Sequence, residues 1–146
     1  MPRLNDHDAT LEGEAGLVRA YLELMHMRIP DRLQFRVDIP DELKTLRFPS
    51  MALLTLVENA VRHGIDPSEQ GGTIEVTALR AADGAVHVAV VDSGVGMSET
   101  AAAGTGLANL RERLAGFYAG AASLDLIEHP PHGLRACIVI RSEGGP

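Results

Sequence analysis

Three short stretches of this chain combine residue types that could hold a phosphorylated ligand. The first is Glu58-Asn59-Ala60-Val61-Arg62-His63-Gly64. Read at about 100° per residue, it belongs to a helix running from Ser50 to Gly64. Leu53, Leu54, Leu56, Val57, Ala60 and Val61 form one face, and Thr55, Glu58, Asn59, Arg62 and His63 form the other. Ser50 is the expected N-cap and Gly64 the expected stop. Asn is a poor interior helix residue because its amide competes for backbone hydrogen bonds. Its place between an acid and a base leaves two readings, a solvated face on a core helix or an amide, cation and carboxylate offered to a ligand.

The second stretch is Asp92-Ser93-Gly94-Val95-Gly96-Met97, directly after the apolar run VHVAVV. A carboxylate at the end of a buried strand is held rigidly at the rim of the core, and the glycines let backbone approach a ligand closely. An ordinary turn is the alternative. The third is Gly104-Thr105-Gly106-Leu107, which opens a helix bearing Leu107, Leu110, Leu114 and Phe117. Glycine-rich backbone feeding a helix N-terminus suits an anion, because free N–H groups and the helix dipole point there. Ser98 to Ala103, small and featureless, is a candidate lid.

Around these lie the elements that must position them. Residues 1–9 are expected to fray and 142–146 to be disordered, leaving 10–141 as one domain. A long helix to about Arg28 carries Leu11, Ala15, Val18, Leu22, Met25 and Ile29 at heptad-like spacing. It either packs on its own domain or ends a longer helix. Strands are predicted at Leu33–Ile39, Thr73–Leu79, Ala85–Val91, Ser123–Ile127 and Leu134–Ile140, with Ala81-Ala82-Asp83-Gly84 as a hairpin link. Arg111 and Arg113 read as surface charges. His129 and His132, in a Pro-Gly loop without partners at useful spacing, are not read as a metal site.

Lys and Arg number 13 against 20 Asp and Glu, a net charge of −7, which argues against nucleic-acid or anionic-membrane binding through bulk charge. The single cysteine, Cys137, excludes an internal disulfide and reads as a small core residue. No apolar run approaches the ~20 residues of a membrane span, so a cytoplasmic domain is expected.

In this order the three motifs resemble the N, G1 and G2 boxes of the ATP-binding domain shared by histidine kinases, DNA gyrase, Hsp90 and MutL. The wording LVENAVRHG with GTGLANLRERL is most similar to sensor histidine kinases of the LytS type. The resemblance implies the Bergerat fold, an α/β two-layer sandwich with a mixed sheet of about five strands and three helices on one face. It implies Mg²⁺ and ATP as cofactors. Asn59 would ligate the Mg²⁺, Arg62 would contact phosphate, and His63 would lie beside the nucleotide. Asp92 would accept from the adenine amino group, with Gly94, Gly96 and Met97 passing close to the base. Gly104, Thr105, Gly106 and Leu107 would meet the phosphates as the lid closes.

The sequence also departs from the family. Thr55 stands where some relatives have an acid or Asn, leaving Glu58 as the nearby carboxylate and candidate base or positioning residue. The phenylalanine-bearing F box is missing from the short segment between the two glycine boxes. No histidine has the Pro-His-Phe context of a phosphoacceptor; His7, His26 and His87 all lack it. The expected partners are therefore a histidine-bearing dimerisation domain outside this chain and a downstream response regulator, with the isolated domain a monomer. The parent kinase could be anchored in the inner membrane. An anti-sigma-factor serine kinase and a nucleotide-dependent interaction module without transfer are the competing readings. A nicotinamide-binding fold fails, since Gly104-x-Gly106 does not follow a strand.

Overall fold

The computed structural model of the chain describes residues 9–95 and 107–141. Gly96, Met97, the lid segment and Gly104-Thr105-Gly106 lie outside the described residues, as do both termini. Helix α1 (Leu11–Arg28) opens on Thr10, whose hydroxyl accepts the Gly13 amide at 3.2 Å. Its heptad-like stripe resolves in favour of the domain itself. Leu11, Ala15, Val18 and Leu22 are fully buried, and Met25 and Ile29 pack against the same core.

Five strands form one mixed sheet in the order β1-β2-β3-β5-β4: β1 (Leu33–Asp38), β2 (Gly72–Arg80), β3 (Val86–Asp92), β4 (Ala122–Glu128) and β5 (Leu134–Ile140). Only β1 and β2 are parallel, with Phe35 opposite Ile74, and the remaining pairs are antiparallel. The predicted strands are all present, with ends differing by one residue at most of them. The hairpin between β2 and β3 closes through Gly84 N–H to the Ala81 carbonyl at 2.9 Å. β3 is central and almost wholly buried, as its apolar run predicts. Ile74, Val76, Val88, Val90, Ala136 and Ile138 face the helices in the main core. The alternate residues Ala89, Cys137 and Val139 form a smaller buried cluster on the other face. Helices α1, α2 (Ala52–Asn59) and α3 (Leu107–Phe117) build the two-layer α/β sandwich with this sheet.

The central helix differs from its sequence reading at both ends. Ser50 is not its cap. Met51 occupies that place in a left-handed conformation (φ 71°) and offers no side-chain acceptor. The cap comes instead from α1. Both oxygens of Glu14, a residue only 3% exposed, accept amides of the first turn, Met51 at 2.9 Å and Leu54 at 3.0 Å. A carboxylate there satisfies orphan donors and complements the helix dipole.

Gly64 does not stop the helix either. After Asn59 it widens into a π-helical turn, Ala60–Ile65, whose exit is marked by the Asp66 amide bonding the Val61 carbonyl at 2.8 Å. Arg32, just before β1, closes that end by donating to the carbonyls of Ile65, Asp66 and Ser68. The helix is thus held between an anion at its start and a cation at its finish, both from the preceding helix-strand unit.

Candidate nucleotide-binding site

The end of β3 and the π-helical turn meet at closest approach. Asp92 is 3% exposed, and its Oδ1 accepts the Gly94 amide at 2.9 Å. Burial pushes the Asp92 carboxyl above the usual aspartate range. The backbone amides of Gly94 and Leu134 pull it back, and His129 and His132 do so more weakly. The carboxylate is therefore fixed by backbone donors and desolvated, ready to accept a hydrogen bond from an incoming group.

Two glycines make this meeting possible. A Cβ on Gly64 would stand 2.7 Å from Oδ1 of Asp92, and one on Gly94 would stand 2.1 Å from the Gly64 carbonyl oxygen. Both contacts are too short for any side chain. The same carbonyl accepts the Val95 amide at 3.0 Å, so the turn after β3 is tied directly to the helix. From the other side, Nδ1 of His132 lies 2.8 Å from the Gly94 carbonyl. A carbonyl only accepts, so that nitrogen carries the proton. His132 is thus a strap on the turn, a role its sequence position did not suggest.

Asn59, His63 and Gly64 line one apolar cleft with Asp92, and Leu107 and Leu134 close its sides. Asn59 is 6% exposed, and its side-chain nitrogen has no hydrogen-bond partner among the described residues. The residue is therefore not part of a solvated face. An unpaired buried amide costs about 1–3 kcal/mol, and a bound ligand or ion is one way that cost is relieved. The amide can also turn over without changing shape, presenting its oxygen at the same place. That donor set fits a hard cation carrying water and phosphate oxygens. Among the described residues no three His, Cys, Asp or Glu side chains converge as metal ligands.

The other residues of the predicted polar face go elsewhere. Thr55 donates its hydroxyl to the Met51 carbonyl at 2.8 Å, back onto its own helix. Arg62 is exposed, and neither it nor Glu58 lines the cleft. The charges of both are felt at the Tyr21 hydroxyl of α1. Burial first, then the Glu58 and Asp66 carboxylates, raise its pKa, while Arg62 and Arg28 oppose them. Arg111 and Arg113 are not free surface charges. Arg111 donates to the Leu124 carbonyl at 3.2 Å and Arg113 to the Ser50 hydroxyl at 3.4 Å, docking α3 onto its neighbours.

Residues 47–143 match the family model described as histidine kinase-, DNA gyrase B- and HSP90-like ATPase. This chain belongs to that family. Its relatives include sensor histidine kinase YesM of Bacillus subtilis (strain 168), 33% identical over 136 residues that make up 90% of this chain and 23% of YesM. Sensor histidine kinase/phosphatase LytS of Staphylococcus aureus (strain MRSA252) is 30% identical over 131 residues, 81% of this chain and 22% of LytS. The chain spans under a quarter of these relatives' length.

Among solved structures, the nucleotide-free catalytic domain of histidine kinase ThkA superposes with a TM-score of 0.66 at 18% identity, covering 90% of this chain and 92% of that one. The histidine kinase domain of the Erythrobacter litoralis EL346 blue-light activated kinase gives the same TM-score at 15% identity, with 97% and 65% covered. At those identities the superpositions establish the Bergerat fold. The chain is a GHKL-type domain related to sensor histidine kinases, LytS-type kinases included, and classes with their catalytic domains.

Proposed function

We propose that this chain is the ATP-binding catalytic domain of a two-component sensor histidine kinase. It would hold Mg-ATP so that the γ-phosphoryl reaches a histidine on a separate dimerisation domain, and from there a response-regulator aspartate. The observation that carries this reading is one cleft lined by both Asp92 and the amide of Asn59, whose nitrogen has no partner among the described residues. Asp92, fixed by backbone amides, is built to accept from an exocyclic amine such as that of adenine. Gly64 and Gly94 let the helix and the turn after β3 pack closely enough to set Asp92 in the cleft wall. Asn59 would hold the Mg²⁺, which when bound neutralises phosphate charge. The described part of the site offers positioning and electrostatics rather than a nucleophile of its own.

Glu58 and Arg62 take a different part in this proposal. Neither lines the cleft, so Glu58 is not required as a base in this proposal. His63 stands at the cleft wall. Gly96, Met97, Gly104, Thr105 and Gly106 are proposed to close over the nucleotide, with Leu107 at the base of that closure. A second reading, nucleotide binding without transfer, draws on Thr55. Its hydroxyl is turned back onto the helix, so no acid faces the cleft from that position.

Calorimetry with ATP and ADP, with and without Mg²⁺, tests the proposal on the chain and on Asp92→Asn. Expected are Mg²⁺-dependent ATP binding in the first and at least a tenfold loss in the second. Addition of the histidine-bearing domain should then yield an acid-labile phosphoryl group. Failure of the unaltered chain to bind nucleotide would overturn the reading, and binding without any transfer would favour the second.

A further inference from the structure

The turn after β3 is gripped from both sides through one peptide unit. The Gly94–Val95 peptide gives its N–H to the Gly64 carbonyl of the helix at 3.0 Å, and its own carbonyl accepts the Nδ1 proton of His132 at 2.8 Å. A single planar group thus joins the widened helix to the loop between β4 and β5. The preceding peptide carries the Gly94 N–H, the donor that fixes Oδ1 of Asp92 at 2.9 Å. Two adjacent peptide planes therefore connect the imidazole to the carboxylate.

The loop between β4 and β5 is built to bring His132 to this place. It closes on itself where the His129 amide donates to the Gly133 carbonyl at 3.2 Å. Gly133, at φ 121°, runs so close to β3 that a Cβ would stand 2.0 Å from the Asp92 carbonyl oxygen. No side chain fits there. The next residue, Leu134, pairs with Asp92 across the sheet and gives its amide to the Asp92 carboxylate. The imidazole of His132 and the amide of Leu134 thus hold the two ends of the same turn.

We propose that His132 is a positioning residue for base recognition, holding the Asp92 carboxylate where it meets the exocyclic amine of the nucleotide. The inference rests on the nucleotide reading above. His132 does not line the cleft, so it acts through the turn rather than on the ligand. Nδ1 carries its proton in this neutral tautomer and in the imidazolium alike, so the strap holds in both charge states. The ring is exposed, and water competes for the Gly94 carbonyl when it is removed. The expected contribution is that of one ordinary hydrogen bond, about three- to tenfold in affinity.

Calorimetry tests this with ATP and with inosine triphosphate, whose base carries a carbonyl in place of the amine. His132→Ala should weaken ATP binding about three- to tenfold and leave the weaker binding of inosine triphosphate within about twofold. His132→Asn, which can place an amide nitrogen where Nδ1 stands, should restore ATP binding. In the Asp92→Asn background, His132→Ala should have no further effect, because the two residues act as one unit. In the nucleotide-free chain, the Val95 amide should exchange about threefold faster or more in His132→Ala and return to the parent rate in His132→Asn. Equal loss for both nucleotides would make His132 a general structural support and overturn the proposal. Unchanged ATP affinity, or no recovery in His132→Asn, would overturn it too. Unchanged Val95 exchange would overturn the strap itself, whether or not nucleotide binds. A parent chain that binds neither nucleotide while Val95 exchange responds would overturn the nucleotide reading, and the recognition role with it.

Discussion

Gly64 lies so close to Asp92 that a single added methyl group would stand 2.7 Å from the carboxylate oxygen Oδ1. Asp92 cannot swing aside, because backbone amides of Gly94 and Leu134 hold it. Gly64→Ala must therefore push the helix and the turn after β3 apart. Overpacking of this kind costs about 1–3 kcal/mol. The larger consequence is expected in binding, since Asn59 and Asp92 would no longer share one geometry. Calorimetry should show at least a tenfold loss of ATP affinity in a variant that still unfolds cooperatively in urea. Unchanged affinity would mean that this contact does not shape the site.

The raised pKa of Asp92 predicts how stability varies with pH. Burial holds its folded value above the ordinary value of about 3.8, so the folded chain keeps this proton at pH values where the unfolded chain has lost it. Stability from this group is greatest below 3.8, falls as pH rises through the window up to the folded value, and is flat above it. Asp92→Asn removes the titration. The difference in unfolding free energy between variant and parent should therefore move in the variant's favour as pH climbs from about 3.5 to about 7. Urea titrations at a series of pH values measure it. A difference that moves the other way would show that the backbone donors, not burial, dominate.

Glu14 makes a separate structural prediction. Its two oxygens serve the amides of Met51 and Leu54 in a nearly fully buried setting. Hydrogen bonds to a charged acceptor contribute about 1.5–3 kcal/mol each, and a deleted cap leaves buried donors unpaired. Glu14→Ala should therefore destabilise the domain by about 3 kcal/mol, and Glu14→Gln, which keeps one acceptor, by about half as much. Urea unfolding with equal slopes for parent and variants is the appropriate comparison. A loss below 0.5 kcal/mol, about the effect of an ordinary surface substitution, would mean that water can take over the cap.

The same residues show where sequence reading succeeds and where it stops. Asn59 and Asp92 were legible because each contradicts its position, an amide inside a helix and a carboxylate at the end of a buried strand. The strands were legible from alternation, and the core face of α1 from its spacing. The ends of α2 were not, because their caps come from Glu14 and Arg32, distant in sequence and near only in the fold. Periodicity puts Glu58 and Arg62 on the same face as Asn59, but neither lines the cleft that Asn59 enters. For Arg62, the widened turn after Asn59 breaks the 3.6-residue count on which that grouping rests.

Asn59 offers the sharpest separation of function from fold. Most buried polar residues stabilise through their partners, so removing them destabilises. Here the side-chain nitrogen has no partner among the described residues, and its burial is a cost to the nucleotide-free protein. Asn59→Ala removes that cost while leaving a small cavity, and the two effects oppose each other. The stability of the nucleotide-free domain should stay within about 1 kcal/mol of the parent. Binding should behave differently. If Asn59 supplies the Mg²⁺ ligand, ATP affinity with Mg²⁺ should fall at least tenfold, while affinity measured in EDTA should change little. A variant that loses stability but keeps its Mg²⁺ response would make Asn59 a structural residue. One that loses both kinds of binding equally would move it from the metal to the nucleotide itself.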